Sequence, residues 1–261
     1  MPQELNREMA PPVPPASSPG LQYHWVWTWG HLIPAVLFAA GAAVVGTAGA
    51  PWWGWGPLAV LAAWAFAGFL VMRFGVRMNQ VSELPDTPFL EGGAGRVLDI
   101  GCGSGRVSIA IARARPGATV VGLDNFSAGY IRGNSAANTE QNFLAAGVAN
   151  RASVRSGDMR EMPFEDRSFD AAASSAAIDH LPPDEIRQTL REVSRVLVPG
   201  GQLLLMVIVP NVWLTIAYGP LVWRMRRRAF WRAALAEAGF VIDREGSART
   251  TALFLARNNK K

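Results

Sequence analysis

The segment Val97-Leu98-Asp99-Ile100-Gly101-Cys102-Gly103-Ser104-Gly105-Arg106 is where residue types and spacing first point to chemistry. A short apolar run enters a turn with glycine at alternate positions. Glycine adopts backbone conformations closed to other residues and lets a ligand approach the main chain. In open α/β sheets, ligands sit at the carboxyl ends of the strands, where such turns lie. The spacing Gly101-x-Gly103-x-Gly105 is not the G-x-G-x-x-G of dinucleotide turns. Asp99 also places a carboxylate just ahead of the first glycine. A pyrophosphate seeks helix-terminus amides and no neighbouring anion. A positively charged ligand gains from one, so Asp99 points to a cationic nucleoside.

Two further carboxylates follow at strand ends. Val120-Val121-Gly122-Leu123-Asp124 reads as a second strand, and Asp124, with Asn125 beside it, can accept from both hydroxyls of a ribose. Dinucleotide enzymes share that device. Ser156-Gly157-Asp158-Met159 follows a third strand and places Asp158 to accept from an exocyclic amine such as adenine N6. After a fourth strand comes Ile178-Asp179-His180-Leu181. His180 could take a proton from an amine, phenol or hydroxyl, since imidazole titrates near neutrality. Packing of the loop is the competing role for His180 and for Asp179. Cys102 is the single cysteine, so neither a disulfide nor a cysteine-based metal site can form within the chain. His24, His31 and His180 are scattered without metal-ligand spacing, and no metal is expected.

These residues need a framework of alternating elements. Residues 96–100, 118–123, 152–156, 169–174 and 202–209 read as strands, and 107–114 and 128–146 as helices. Ile186, Leu190, Val193 and Leu197 share one helical face. That helix opens after Pro182-Pro183 with Asp184 and Glu185, and stops at Pro199-Gly200-Gly201. A last helix at 229–238 and strands at 240–244 and 251–256 close the chain. Alternation of this kind implies a mainly parallel sheet covered on both faces.

On these residues, the chain from about 95 to 209 resembles the class I S-adenosylmethionine-dependent methyltransferases, in particular the branch with quinone and small-lipid methyltransferases. The matching pieces are Val97–Gly105, Gly122–Asp124, Gly157–Met159, Phe169–Leu181 and Leu190–Leu205. The resemblance implies a Rossmann-like, doubly wound, mainly parallel seven-stranded sheet and S-adenosyl-L-methionine as co-substrate. It implies that Asp99, Gly101 and Gly103 frame the methionine moiety, Asp124 the ribose, and Asp158 with Met159 the adenine. Cys102, Gly105 and Asn125 complete the expected cofactor-binding set. Methyl transfer from a sulfonium relies mainly on alignment, which can supply ~7–11 kcal/mol, so no fixed catalytic constellation is expected beyond His180 and Asp179. A nicotinamide oxidoreductase and a catalytically silent binding module are the competing readings.

The N-terminal third is of another kind. Charged residues make up 17% of the chain, below the ~25% usual for soluble domains. The shortfall lies between Leu21 and Met72, where Asp, Glu, Lys and Arg are absent. A proline-rich tail is expected over residues 1–20, and a two-helix transmembrane anchor over 21–78. The spans fall near Gly30–Ala48 and Leu58–Phe74, joined by a loop over Gly49–Pro57. Tryptophans 25, 27, 29, 52, 53 and 55 suit the membrane interface, and Arg73 and Arg77 suit its cytoplasmic side. A buried apolar hairpin, or a signal peptide cleaved near Thr47–Ala50, would read similarly. The methyltransferase domain is expected over 79–261 and in the cytoplasm. Within it, 210–232 joins an apolar, aromatic stretch to Arg224, Arg226, Arg227, Arg228 and Arg232. This is where the net charge of +5 concentrates. Anionic lipid is the expected partner rather than nucleic acid, because the cluster adjoins apolar residues in an anchored chain. A lipophilic acceptor follows, with a small soluble acceptor as the alternative.

Overall fold

The computed structural model describes residues 24–76, 83–248 and 251–260. The expected tail over 1–20, and Arg77, lie outside the described residues. The chain opens with a helical turn α1 (Val26–Trp29), then α2 (Leu32–Thr47) and α3 (Trp52–Leu70). Helix α3 continues as a π-helical stretch, Val71–Val76. Gly41 lies against Leu58 and Gly46 against Trp55, so α2 and α3 run antiparallel as a hairpin.

Two sequence expectations are corrected here. The loop placed over Gly49–Pro57 ends at Pro51, whose extended backbone caps α3, and Trp52, Trp53 and Trp55 stand in the helix itself. Pro57 lies inside α3. A proline this near a helix start removes one main-chain bond, while the long apolar run behind it favours a helix that satisfies its polar groups internally. The second correction concerns length. Among the described residues only the helix Trp52–Val76, 25 residues with mean hydropathy 1.8, is long and apolar enough to cross a membrane. Helix α2 has 16 residues, roughly 24 Å at 1.5 Å per residue against a hydrocarbon core of about 30 Å. The two spanning helices expected are therefore not found as such.

The remaining chain builds one sheet in the order β1 (Ala94–Ile100), α4 (Arg106–Ala114), β2 (Gly117–Asp124), α5 (Ala136–Ala145), β3 (Ala152–Ser156), β4 (Phe169–Ser175). It continues through α6 (Pro183–Val196), β5 (Leu197–Ile208), α7 (Val212–Tyr218), α8 (Arg228–Glu237), β6 (Phe240–Ala248) and β7 (Thr251–Asn258). Short 3-10 turns cover Ile178–His180 and Gly219–Arg224. Strand order across the sheet is β3-β2-β1-β4-β5-β7-β6. Pairings among β1 to β5 are parallel, and β7 is antiparallel to both neighbours. The expected seven-stranded, Rossmann-like sheet is present. Order reverses between β1 and β4, which opens a crevice at their carboxyl ends.

Period-two alternation sends successive side chains to opposite faces. Leu98, Ile100, Leu203 and Leu205 meet Ile186, Leu190 and Val193 of α6 and Trp231 and Leu235 of α8. Val97, Val120, Ala171 and Leu204 meet Ile109 and Ile111 of α4 and Phe143 of α5. The helix expected over 128–146 is shorter than its apolar pattern suggested. Gly133 takes a left-handed conformation, and Ser135 caps α5 by accepting from the Asn138 N–H. Residues 125–135 are thereby left as a loop over the crevice.

Trp231 is fully buried, and its indole N–H has no partner among the described residues. Its contribution is therefore packing. Trp231→Ala is expected to cost ~3–5 kcal/mol, read from denaturant unfolding in detergent. A loss below ~1 kcal/mol would show that α8 does not hold that face of the sheet.

Candidate active site

The crevice is built on the turn after β1. Gly101, Gly103 and Gly105 have φ of 70°, 49° and 84°, the left-handed region that side chains with a Cβ enter at a cost. The Gly101 and Cys102 N–H groups both donate to the Leu123 carbonyl, at 2.8 and 3.1 Å. The Gly103 N–H donates to Asp124 Oδ2 at 2.8 Å. The turn is thus fastened to the end of β2 by three bonds. A Cβ on Gly101 would collide with Ala177 and touch Met159, and one on Gly103 would stand 2.9 Å from Ile131 Cδ1. Gly105 differs: a Cβ there would stand 2.5 Å from Phe143 Cε1 on α5. Its glycine serves helix packing, while Gly101 and Gly103 keep open a cradle between the Ile131 and Ala177 loops.

Asp124 spends one lone pair per oxygen on the protein. Oδ2 takes Gly103, and Oδ1 accepts from the Phe126 N–H at 2.6 Å. A carboxylate offers about four acceptor sites, so capacity remains for two hydroxyls. Asn125 is exposed and accepts from the Ser127 N–H and Oγ, at 3.1 and 2.8 Å. It shapes the loop rather than facing the crevice alone.

Asp99 stands beneath the turn, 1% exposed. Its Oδ2 accepts from the Ser108 N–H at 2.8 Å and from Ser108 Oγ at 2.6 Å. Burial pushes its carboxyl up to about 7, with the Ser108 bonds opposing and the Asp124 charge adding a little. Sequence reasoning gave Asp99 a ligand; the structure gives it first the start of α4. Cys102 is also buried, and its sulfur packs against Gly122, where a Cβ would stand 2.7 Å away. Burial raises the thiol well above its usual range, so Cys102 is a packing residue and not a nucleophile.

Asp158 follows β3 as expected, with a partner the sequence reading missed. Arg160 forks onto it, with an Nη2–Oδ2 distance of 2.6 Å, and also reaches Glu185 at 2.8 Å. The Arg160 hydrogen bonds hold the Asp158 carboxyl below its usual range. Met159 packs on the core beside Gly101.

On the far side of the crevice, Asp179 and His180 part company. Asp179 Oδ2 accepts from the Ile208 N–H at 3.2 Å, tying its loop to β5. Asp179 Oδ1 is buried without a hydrogen-bond partner among the described residues. Burial raises this carboxyl, and the charges of His180 and Arg226 hold it back. His180 is exposed, with Nε2 3.5 Å from the Tyr130 hydroxyl and the two rings 5.6 Å apart. Tyr130 is the site residue that sequence reasoning missed. It lies next to Ile131 in the loop read as helix, with Gly129 and Gly133 as the available signal. The N-terminal turn closes over it: the His24 N–H donates to the Tyr130 carbonyl at 3.0 Å, and Trp27 meets the Tyr130 ring edge-on.

A glycine cradle, a β2-end carboxylate with free acceptor sites and a second carboxylate after β3 suit an adenosine-bearing ligand, and the residues present fit S-adenosylmethionine. Residues 97–201 match the family model described as a methyltransferase domain. A 24-methylenesterol C-methyltransferase of rice is 35% identical over 57% of this chain and 38% of its own length. A demethylmenaquinone methyltransferase of Lactiplantibacillus plantarum is 38% identical over 41% of this chain and 42% of its own. The chain thus spans under half of the length of these relatives. The crystal structure of an O-methyltransferase family 2 protein from Planctomyces limnophilus in complex with apigenin shares the fold, with TM-score 0.55, 17% identity and coverage of 80% of this chain and 71% of that one. The matched residues, 97–201, carry the turn after β1, Asp124 and Asp158, so the likeness to a methyltransferase domain falls on the crevice itself.

The state of Asp99 carries a pH dependence. Its folded pKa is raised from 3.8 to about 7. The unfolded chain therefore ionises first, and its contribution to stability is full below about 4 and lost as pH rises towards 7. Thermal melts of the ligand-free chain across that range should show this decline, and Asp99→Asn should flatten it. An unchanged slope in the variant would assign the decline to other groups.

Proposed function

We propose that this chain is a membrane-held S-adenosylmethionine-dependent methyltransferase whose acceptor is a lipophilic small molecule. The observation that carries the reading is the Gly103–Asp124 bond. It brings the glycine turn and the β2-end carboxylate together within a matched methyltransferase domain. Asp124 would hold the ribose, Gly101 and Gly103 would let the methionine chain lie against the backbone, and Asp158 with Met159 would border the adenine. Asp99 would act from below, by fixing the turn and through its charge. When bound, S-adenosylmethionine supplies an electrophilic methyl that an acceptor lone pair displaces in line, leaving S-adenosylhomocysteine.

The protein's own part is to align the acceptor, exclude water and receive a proton where the acceptor atom carries one. His180 would take that proton, with the Tyr130 hydroxyl as partner to Nε2. Trp27 and Tyr130 would exclude water from that side. Asp179 would position its turn against β5 through the Ile208 N–H. A membrane location is supported by α3 and by the exposure of Val36, Leu37, Val44 and Val60 on the hairpin. A core hairpin would bury such residues. Helix α2 approaches the length of a bilayer core only together with α1, through Gly30 and His31, both right-handed helical. The sterol and demethylmenaquinone named in the two relatives support a lipophilic acceptor, and a hairpin leaving both arms' ends beside the domain supports a cytoplasmic site beside Arg73.

Membranes carrying the intact chain, incubated with methyl-labelled S-adenosylmethionine and extracted with organic solvent, test the reading. Label should enter the organic phase and vanish with Asp124→Ala. Label confined to water-soluble products would overturn the lipophilic acceptor, and S-adenosylhomocysteine binding without transfer to any fraction would point to a silent binding module. On the same assay His180→Ala should lower turnover ~100-fold with the apparent KM for S-adenosylmethionine unchanged. Full turnover would remove the base.

A further inference from the structure

The arginine-rich segment after α7 is not one uniform basic stripe. Arg228 is bound to Glu245 Oε1 at 2.9 Å, the Gly246 carbonyl at 2.8 Å and Ser247 Oγ at 2.7 Å. Arg232 forks onto Glu245 at 2.7 and 3.0 Å. Arg226 lies over the Phe230 ring, its Nε buried, with its charge felt by Asp179. Arg224 and Arg227 are exposed, and among the described residues neither guanidinium has an ion-pair or hydrogen-bond partner. Among the described residues Trp223 is the most exposed large apolar side chain, at 71%, beside Leu221 at 60%, and Arg224 follows it directly. Val212 and Trp213 of α7 are exposed as well. A cleft of about 470 Å³ opens there, walled by Pro210, Trp223, Arg227, Arg228 and Arg232. With Glu245 shared between two of the three arginines, the cleft keeps an excess of positive charge.

The α7 segment that precedes this cleft packs on the hairpin. His31 Nε2 lies 3.0 Å from the Ala217 carbonyl, the Tyr218 hydroxyl donates to Met72 Sδ at 3.4 Å, and Gly219 sits against Trp64. The exposed apolar side chains of α7 and its 3-10 turn therefore stand beside the second half of α3, the helix that can cross a membrane.

We propose that the Trp223–Arg227 cleft, together with the exposed Arg224 that follows Trp223 in the chain, is a docking site for the phosphate of an anionic phospholipid, and that Trp213, Leu221 and Trp223 enter the same bilayer that holds α3. The chemistry is specific. Tryptophan places an apolar ring at the headgroup level, unpaired guanidinium groups fork onto phosphate oxygens, and apolar residues beside a basic face define an interfacial segment. Nucleic acid would use the arginines but leave Trp213 and Leu221 in water. The proposal rests on the membrane location given above, not on methyl transfer.

The test uses the full chain in lipid nanodiscs, with an environment-sensitive fluorophore on Leu221→Cys; the native Cys102 is buried. Discs of phosphatidylcholine alone are compared with discs containing phosphatidylglycerol. In the anionic discs the label should shift to the blue and be quenched by lipid-borne spin labels. Arg224→Gln with Arg227→Gln should lower the ratio of lipid-contacting to water-exposed label roughly thirty-fold, about 1 kcal/mol per arginine, and the double lysine variant should retain most of it. Both positions are exposed, so the pairs at Glu245 and the fold stay intact in either variant. A label in water in both discs would overturn the docking. A label in lipid that ignores lipid charge and both variants would overturn the phosphate site. Displacement of the label by an RNA oligonucleotide would assign the arginines to nucleic acid. Methyl transfer measured on the same discs reports separately on the enzymatic reading.

Discussion

The structure turns on a single main-chain donor, the Gly103 N–H, and the carboxylate oxygen of Asp124 that accepts it. β1 and β2 are already adjacent in the sheet, but strand pairing alone leaves their ends free. The bond makes the glycine turn and the β2-end carboxylate one unit. Left-handed conformations at Gly101 and Gly103 are affordable because glycine has no Cβ, and here the missing atom also makes room for the Ile131 and Ala177 loops. Asp99 completes the unit from below by holding Ser108. A polar group this deeply buried is costly unless it is bonded, so the turn above and the first turn of α4 are constrained together.

Much of this was legible in the sequence because the signals are local. Alternating glycines after an apolar run, carboxylates at the ends of Val120–Asp124 and after Ser156, and the proline and acidic start of α6 each act within a few residues. What was not legible depends on distant partners. Arg160 neutralises Asp158 and bridges to Glu185 on α6, a contact that only the folded crevice creates. Tyr130 sat in a run, 128–146, read as helix, of which only Ala136–Ala145 is helical. Gly133 and the Ser135 cap mark that helix's start, and the freed loop brings a phenol to His180. Asp179 and His180 are neighbours in sequence, yet one faces β5 and the other solvent, a distinction set by the 3-10 turn that holds them.

The hairpin shows the same division. Its apolar character is plain from composition, but the start of α3 was not. Glycine and proline mark turns in water, where the backbone has other partners. In an uncharged run the same residues are carried into a helix, since internal hydrogen bonding is the cheaper arrangement. The arginine cluster likewise looked uniform as text. Folding divides it into cations that brace α8 against β6 through Glu245 and cations left at the surface.

The contact of His31 and Trp64 with α7 has a geometric consequence. A domain joined to a hairpin only by residues 77–93 would tumble over a wide range of heights. Packed on the side of α3, it is fixed relative to the hairpin instead, and its crevice stands at a set distance from that helix. For a hairpin seated in a bilayer, that distance works as a depth gauge. Acceptors would then be sorted by how far their reactive atom rises from the lipid surface, and a longer or shorter headgroup would miss alignment even with the right chemistry at its tip.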